Sequence, residues 1–472
     1  MAKKLKLTDI SQGADSQLTG VEIEELAPLP PPYDAPVELT RLTDDQQARL
    51  VCNLDGFSAL ALPRPPSEAA KKKGVEQFVA GMKKLLSRGD NWTFLQPLLL
   101  SLDYCARCQT CNDHCHVYLG SGKNDLYRPT YRSEVFRRLV NRYVKHRSKF
   151  DGNNIELNWE TISRLYELAY RCNLCRRCAQ VCPVGVDNAL ITREIRKLFS
   201  QELGWAPREL HEKGTVLQLE AGSPTGMKPA VVRDNVSFLD EEFSEATGIK
   251  VATHWDKEGA DVLIIHSAGD IISFPESVIA FGILCDAAGI DWTLSSEAPG
   301  YDGVNYGLFY DDVQLARIAT RHAQIAHQLK VKKIVMGECG HEHKALITIA
   351  DRLLTGDLNI PRQDAMTFLE AIVFSGKIKF DPARNAFPVT LHDPCNIVRN
   401  LGIVEPQRRI LRYLCPQFRE MTPHGLDNYC CGGGGGLGVM SNVNFPDWKV
   451  NIAGRMKFKQ VLDAFADRPG PE

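Results

Sequence analysis

Cys105, Cys108, Cys111 and Cys115 stand in the pattern C-x-x-C-x-x-C-x-x-x-C, and Cys172, Cys175, Cys178 and Cys182 repeat it, with Pro183 directly after. No other feature of the sequence restricts the fold as strongly. Two-residue gaps let three thiolates of one loop converge on three corners of a cubane, so each run is built to wrap an inorganic cluster. Four-cysteine zinc sites use pairs of C-x-x-C and would leave the phased third and fourth cysteines without a purpose. The chain carries 15 cysteines in 472 residues. That is too long a chain for a small disulfide scaffold, and spaced cysteines in a reducing compartment read as metal ligands before disulfides.

In ferredoxins with two clusters the fourth cysteine of each run ligates the other cluster. The eight cysteines are therefore expected to hold two [4Fe-4S] clusters. His116 departs from the pattern, replacing the proline expected after Cys115, and should alter the local turn and hydrogen bonding more than the ligation.

The chain divides by composition. Residues 1–75 contain Pro28, Pro30, Pro31, Pro32, Pro36, Pro63, Pro65 and Pro66, and such a segment is expected to run extended. Residues 76–205 read as a helical domain: Phe78, Met82, Leu85 and Leu86 recur at helical spacing, Asn91–Leu102 is a second apolar stretch, and helices are expected over 133–144, 159–170 and 189–203, the last stopped by Gly204. Residues 206–258 are mixed and read as a connector. From Asp261 short β-branched runs alternate with helical ones. Strands are expected over 262–266, 333–336 and 389–392, with helices over 277–288, 314–330 and 406–414, which makes 259–472 an α/β domain. This domain looks duplicated, because Leu263–Gly269 and Val389–Cys395 each place a histidine, His266 or His392, three residues before a sharp turn; superposed, Gly269 takes the place of Cys395.

Of the other seven cysteines, Cys52, Cys285 and Cys415 read as small buried thiols. Cys395, Cys430 and Cys431 differ. Adjacent cysteines before Gly432–Gly436 put two thiolates on a backbone without side-chain bulk, which a cluster can approach closely. A vicinal disulfide would be strained, and a phosphate-cradling loop lacks its lysine.

Cys395, followed after 34 residues by Cys430-Cys431-Gly432, resembles the cysteine-rich "CCG" domain of heterodisulfide reductases. Behind a two-cluster ferredoxin-like domain, the layout from 95 to 445 is similar to HdrD-like and DsrK-like subunits, and Gly337-Glu338-Cys339-Gly340-His341 resembles a motif of the DsrK-like branch. The resemblance implies a third, site-differentiated [4Fe-4S] or related cluster that cleaves a disulfide or trisulfide in two one-electron steps. It implies a cytochrome b-like or other quinone-interacting membrane subunit, further iron-sulfur or cytochrome subunits, and a small sulfur-carrier protein as substrate. A pure electron relay, similar to the HmcF and TmcB subunits, is the alternative, and a structural metal in the C-terminal domain a third reading.

One departure from the family pattern is informative. A complete repeat would end in a C-x-x-C near Phe465, where this sequence has no cysteine, whereas Cys339 lies 70 residues beyond Gly269. The halves complement each other, so Cys339, Cys395, Cys430 and Cys431 are expected to meet at the pseudo-twofold seam and ligate one catalytic cluster. His341, His343 and His392 are candidates to hydrogen-bond it or to protonate a leaving thiolate; Cys339, His341 and His343 as a zinc site compete with this. Arg132, Arg137, Arg138, Arg142, Lys145, Arg147 and Lys149, with Arg171, Arg176 and Arg177, surround the ferredoxin cysteines with charge. They read equally as a solvated face, as an offset to cluster charge, or as a docking surface. The net charge of -2 gives no sign of nucleic acid binding. No signal peptide or spanning run is visible, so the expected location is cytoplasmic, peripheral on the inner face of the membrane through partner subunits.

Overall fold

The computed structural model describes residues 60, 65–91, 93–337, 339–350, 353–440 and 448–467. The proline-rich segment through Arg64, with Cys52, lies outside them apart from Leu60. The helical domain starts from local signals. Ser67 Oγ accepts the Ala70 N–H (3.2 Å) and opens α1 (Glu68–Leu85), so helix begins within the segment expected to be extended. It is followed by α2 (Leu95–Asp103), α3 (Pro129–Tyr143), α4 (Trp159–Ala169) and α5 (Asn188–Leu203). The Asp187 carboxylate accepts the Ala189 and Leu190 N–H groups at the start of α5, and Gly204 (φ +70°) ends it in the left-handed conformation. The buried faces of α1, α4 and α5 meet in an aromatic nest, where Phe199 stacks on Trp205 at 5.5 Å and Tyr166 meets both rings edge-on.

The stretch 206–258 is not a loose connector. A wide helical turn over Glu209–Val216 continues into Leu217–Ala221, and its Leu210 is buried in the helical domain's core. Next, α6 (Pro229–Thr247) buries Val232, Val236, Leu239 and Phe243 against the sheet domain. The i, i+4, i+7, i+11 spacing of these residues is a helical stripe readable in the sequence.

The sheet domain is α/β, as expected. β1 (Val262–Ile265), β2 (Trp292–Thr293), β3 (Lys333–Met336) and β4 (Arg362–Gln363) form an all-parallel sheet in the order β2-β1-β3-β4, with Val262 opposite Lys333 and Ile265 opposite Met336. All of β1 is buried, which explains its unbroken apolar run. The sheet is flanked by α7 (Pro275–Ala288), α8 (Asp312–Gln328) and α9 (Ala365–Val373). A second parallel pair is formed by β5 (Val389–Thr390) and β6 (Phe418–Arg419), joined through α10 (Glu405–Leu414). The two halves share the order strand, short helix, longer helix, parallel strand, the short helices being Ala268–Ser273 and Cys395–Val398. The expected strand 389–392 stops at Thr390. Pro394 cannot donate to a ladder, and the Asp393 carboxylate turns instead to Arg408 (2.8 Å) and the Gly425 N–H (2.6 Å).

The chain then returns to where it began. Trp448, Ile452 and Ala453 are buried in the helical domain's core together with Leu308, Phe309, Leu437 and Met440. A Cβ on Gly120 would lie 2.2 Å from the Ile452 carbonyl oxygen, so only glycine admits this contact. The final helix, α11 (Arg455–Ala464), follows. Among the described residues no helix is long and apolar enough to cross a membrane.

Candidate iron-sulfur centres

The two ferredoxin runs share one backbone. Arg107 and Gln109 in the first, Leu174 and Arg176 in the second, stand at equivalent positions with φ between +54° and +64°. These left-handed residues turn the loops tightly enough to aim their thiols inward. The thiols pair crosswise. Burial pushes Cys111 up to about 11, with Cys105, Cys182 and Cys108 adding to the effect. Burial likewise pushes Cys115 up to about 12, with Cys175 and Cys172 beside it. Cys182 thus joins the first run and Cys115 the second. The first set reaches the surface, Cys108 being exposed, whereas Cys172, Cys175 and Cys178 are buried.

Most of the arginines near these loops are structural. Arg132 is buried, donates to Thr192 Oγ1 (2.6 Å) and keeps its charge facing Cys172, Cys115 and Cys178. Arg171 pairs with Glu167 (2.9 Å), Arg176 with Asp187 (2.7 Å), and Arg177 donates to the Asp427 carbonyl (2.8 Å). Of the readings left open by the sequence, Arg132 supports charge offset, while Arg147 and Lys149 remain on the solvated face.

The third group lies at the seam. Cys395 opens its short helix, and the Cys430 sulfur faces those of Cys175, Cys395 and Cys431, a crowding that pushes the Cys430 thiol well up and draws the other three down. Cys430 and Cys431 are free thiols. The Cys175 and Cys430 sulfurs and a ring nitrogen of His116 all lie within 4.8 Å of one another, so the second ferredoxin set abuts the third group. His116 sits between them, with Nε2 3.0 Å from Asn173 Oδ1 and Nδ1 3.7 Å from Cys175 Sγ. Arg399 adds a buried cation facing Cys175, Cys395 and Cys430 and donates to the Cys175 carbonyl (2.7 Å). Lys457, held down at about 8 by burial, faces Cys430 and Cys431.

The glycine run also packs against protein. Beyond Gly433, where a Cβ would meet the Cys431 sulfur at 3.8 Å, it lies directly on the second ferredoxin loop, where a Cβ on Gly434 would meet the Asn173 carbonyl oxygen at 2.9 Å and one on Gly435 that of Cys172 at 2.8 Å. Asn173 Nδ2 donates to the carbonyls of Gly432 (2.6 Å) and Gly434 (3.3 Å). Arg196 ties the contact together by donating to Gly435 O and Cys172 O (both 2.7 Å) and to Ala169 O (3.0 Å). Asn173, Arg196, Arg399 and Lys457 do not stand out in the sequence, and only the proximity of Asn173 and Arg196 to the second run could draw notice.

Cys339 stands across the seam from Cys395. Each adjoins the N-terminus of a short helix, and a Cβ on Gly340 would lie 3.3 Å from Pro394 Cβ. Burial pushes the Cys339 thiol well up, with Glu342 and Asp270 as its charged neighbours; its sulfur is 4.0 Å from His341 Nδ1. The structure thus gathers Cys395, Cys430, Cys431 and Cys175, and brings the backbone after Cys339 against Pro394, while the Cys339 thiol itself faces His341, Glu342 and Asp270. The histidines divide. His343 is engaged at both nitrogens, with the Cys339 carbonyl (2.8 Å) and the Ala365 N–H (3.1 Å), which removes it from zinc ligation and from proton transfer. His392 faces Cys431 and helps draw its thiol down, and His341, edge-on to Phe309 at 5.0 Å, feels the Cys431 charge. Cys285 is buried in α7 and Cys415 ends α10, each apart from these groups.

This donor set, thiols converging in threes and fours with cations and N–H groups behind them, fits thiolate-ligated clusters. A two-cluster ferredoxin-type domain continued into an α/β cysteine-rich domain is the class that fold and site define. A family model described as a 4Fe-4S dicluster domain matches residues 101–186, and one described as a cysteine-rich domain matches residues 389–460. The chain is similar to the Hdr-like menaquinol oxidoreductase iron-sulfur subunit 2 of Archaeoglobus fulgidus, 30% identical over 77% of this chain and 71% of that protein. It is also similar to a component of the dihydromethanophenazine:CoB--CoM heterodisulfide reductase of Methanosarcina acetivorans, 25% identical over 78% of this chain and 86% of that protein. A probable membrane-anchored ferredoxin of Chromohalobacter salexigens is 22% identical over 86% of this chain and 62% of its own length. No solved structure matches. The chain belongs to the HdrD-like family of iron-sulfur subunits and is an electron-transfer subunit of the oxidoreductase kind.

Proposed function

We propose that the chain carries one [4Fe-4S] cluster on Cys105, Cys108, Cys111 and Cys182, a second on Cys172, Cys175, Cys178 and Cys115, and a third on Cys395, Cys430, Cys431 and Cys339. It exchanges electrons between a quinone-linked membrane subunit and a cytoplasmic disulfide or trisulfide substrate, from the inner face of the membrane. The observation that carries this reading is the contact of Cys175 and Cys430 beside His116, which joins the electron path to the seam. The relatives' names, a menaquinol oxidoreductase and a heterodisulfide reductase, support its two ends.

Bound clusters would supply the one-electron steps. The chain's own residues do the rest. Reducing a disulfide to two thiols consumes two electrons and two protons, so the seam must also deliver protons. His392, facing Cys431, and His341 hold ring nitrogens there, while Arg399 and Lys457 hold positive charge against developing thiolates.

The test is spectroscopic. In oxidised protein with all clusters loaded, the EPR spectrum should change when a small protein bearing a persulfide or a disulfide is added. A spectrum indifferent to every thiol and disulfide offered would overturn catalysis and leave a relay.

A further inference from the structure

A cavity of about 280 Å³ lies between the two domains, close to the cysteine sets without including them. Its walls are largely apolar, with Phe94, Leu100, Leu174 and Leu190 among them, and its polar side is Arg176, Asn400, Lys344 and Thr348. Two of the cavity's cations are already compensated. Arg176 is held by Asp187 (2.7 Å) and Asn400 Oδ1 (3.0 Å), and Arg193 by Glu194 (2.9 Å) and Asp312. The lining carboxylate, Asp187, is spent on Arg176 and on capping α5.

Lys344 differs. Among the described residues its ammonium makes no hydrogen bond or ion pair, although it borders an apolar chamber; Cys395 and Asp187 face it only from beyond contact. Thr348, four residues on along the same helical turn, has a buried hydroxyl that also lacks a hydrogen-bond partner among them. A sheltered ammonium and a hydroxyl without partners are costly unless something else completes them. An inorganic ion would satisfy them but leave the apolar walls uncovered, and a folded protein does not fit such a volume.

We infer that this cavity binds a small amphiphilic organic anion, its carboxylate or equivalent head on Lys344 and Thr348 and its apolar body along Phe94, Leu174 and Leu190. A small ligand held by few polar groups in a mainly apolar chamber is the usual form of such sites. Leu174 and Arg176 flank Cys175, so a bound anion lies near the second cysteine set and is repelled when that region gains electrons. Binding and oxidation state are therefore linked: the anion binds the oxidised protein more tightly, and it makes the protein harder to reduce.

Octanoate, octanol and octylamine, titrated calorimetrically into the oxidised, cluster-loaded protein, test this. Octanoate should bind at least tenfold more tightly than the other two, and Lys344→Gln should abolish that preference while leaving octanol unchanged. Thr348→Val, which removes only a hydroxyl, should weaken octanoate several-fold and keeps the test alive if the lysine variant misfolds. Octanoate binding no tighter than octanol, or undiminished in both variants, overturns the proposal. Binding is read without turnover, so a protein that takes octanoate yet ignores every disulfide refutes the catalytic reading alone. The converse result refutes only the cavity's role.

Discussion

His266 and His322 are buried imidazoles that the cysteine chemistry does not use. Burial holds each down to about 4; His322 Nδ1 contacts the Pro299 carbonyl oxygen, and His266 meets Phe281 edge-on at 5.4 Å. Both are therefore neutral in the folded protein at pH values where the unfolded chain, with its ordinary value near 6.5, takes up protons. Their contribution is fully present above about pH 6.5 and is lost as pH falls toward 4, by about 1.4 kcal/mol per pH unit for each ring. Denaturant unfolding from pH 7.5 to 5 should show this decline, and His322→Gln should remove its share; a profile identical in the variant would contradict the assignment. At this scale the sequence is legible only where contacts are local. The eight ferredoxin cysteines announce themselves because their spacing is their geometry. Arg196 and Arg399 do not, because the carbonyls they satisfy lie in loops distant in sequence, such as Gly435 and Cys175.

Among the elements, the helices from α1 to α5 and strands β1 and β3 are readable from periodicity and β-branched runs, with ends shifted by a few residues where caps such as Ser67 decide them. The glycine run is not. Its composition tells of close approach but not of what approaches, which at Gly434 and Gly435 is the Cys172–Asn173 backbone. Gly435→Ala should thus cost more than the strain of a left-handed alanine, about 1–2 kcal/mol, since its Cβ would also strike a carbonyl oxygen. Gly402 (φ +75°), with open space around it, supplies the control. Melting temperatures of Gly435→Ala and Gly402→Ala should differ, the first falling further; equal losses would mean that the loop contact contributes nothing.

Over the whole molecule the cysteine groups run from a set that reaches the surface to a buried one, and the buried one adjoins the seam through Cys175 and Cys430. Fully loaded protein should contain about twelve irons, against about eight if only the ferredoxin pair assembles. Cys339→Ser should lower the count by the third cluster; a variant that keeps all its iron would remove Cys339 from the ligand set. The duplication is legible in the sequence, but the shared core is not, because apolar periodicity marks a buried face without saying which partner buries it. That core has a consequence for biosynthesis. The loop holding Cys172–Cys178 is covered by Gly432–Gly436, and the helix after Cys115 by Ile452. A nascent chain therefore presents its second cysteine motif open on one side until Gly432–Gly436 has left the ribosome. Cluster insertion there has a window that translation itself closes.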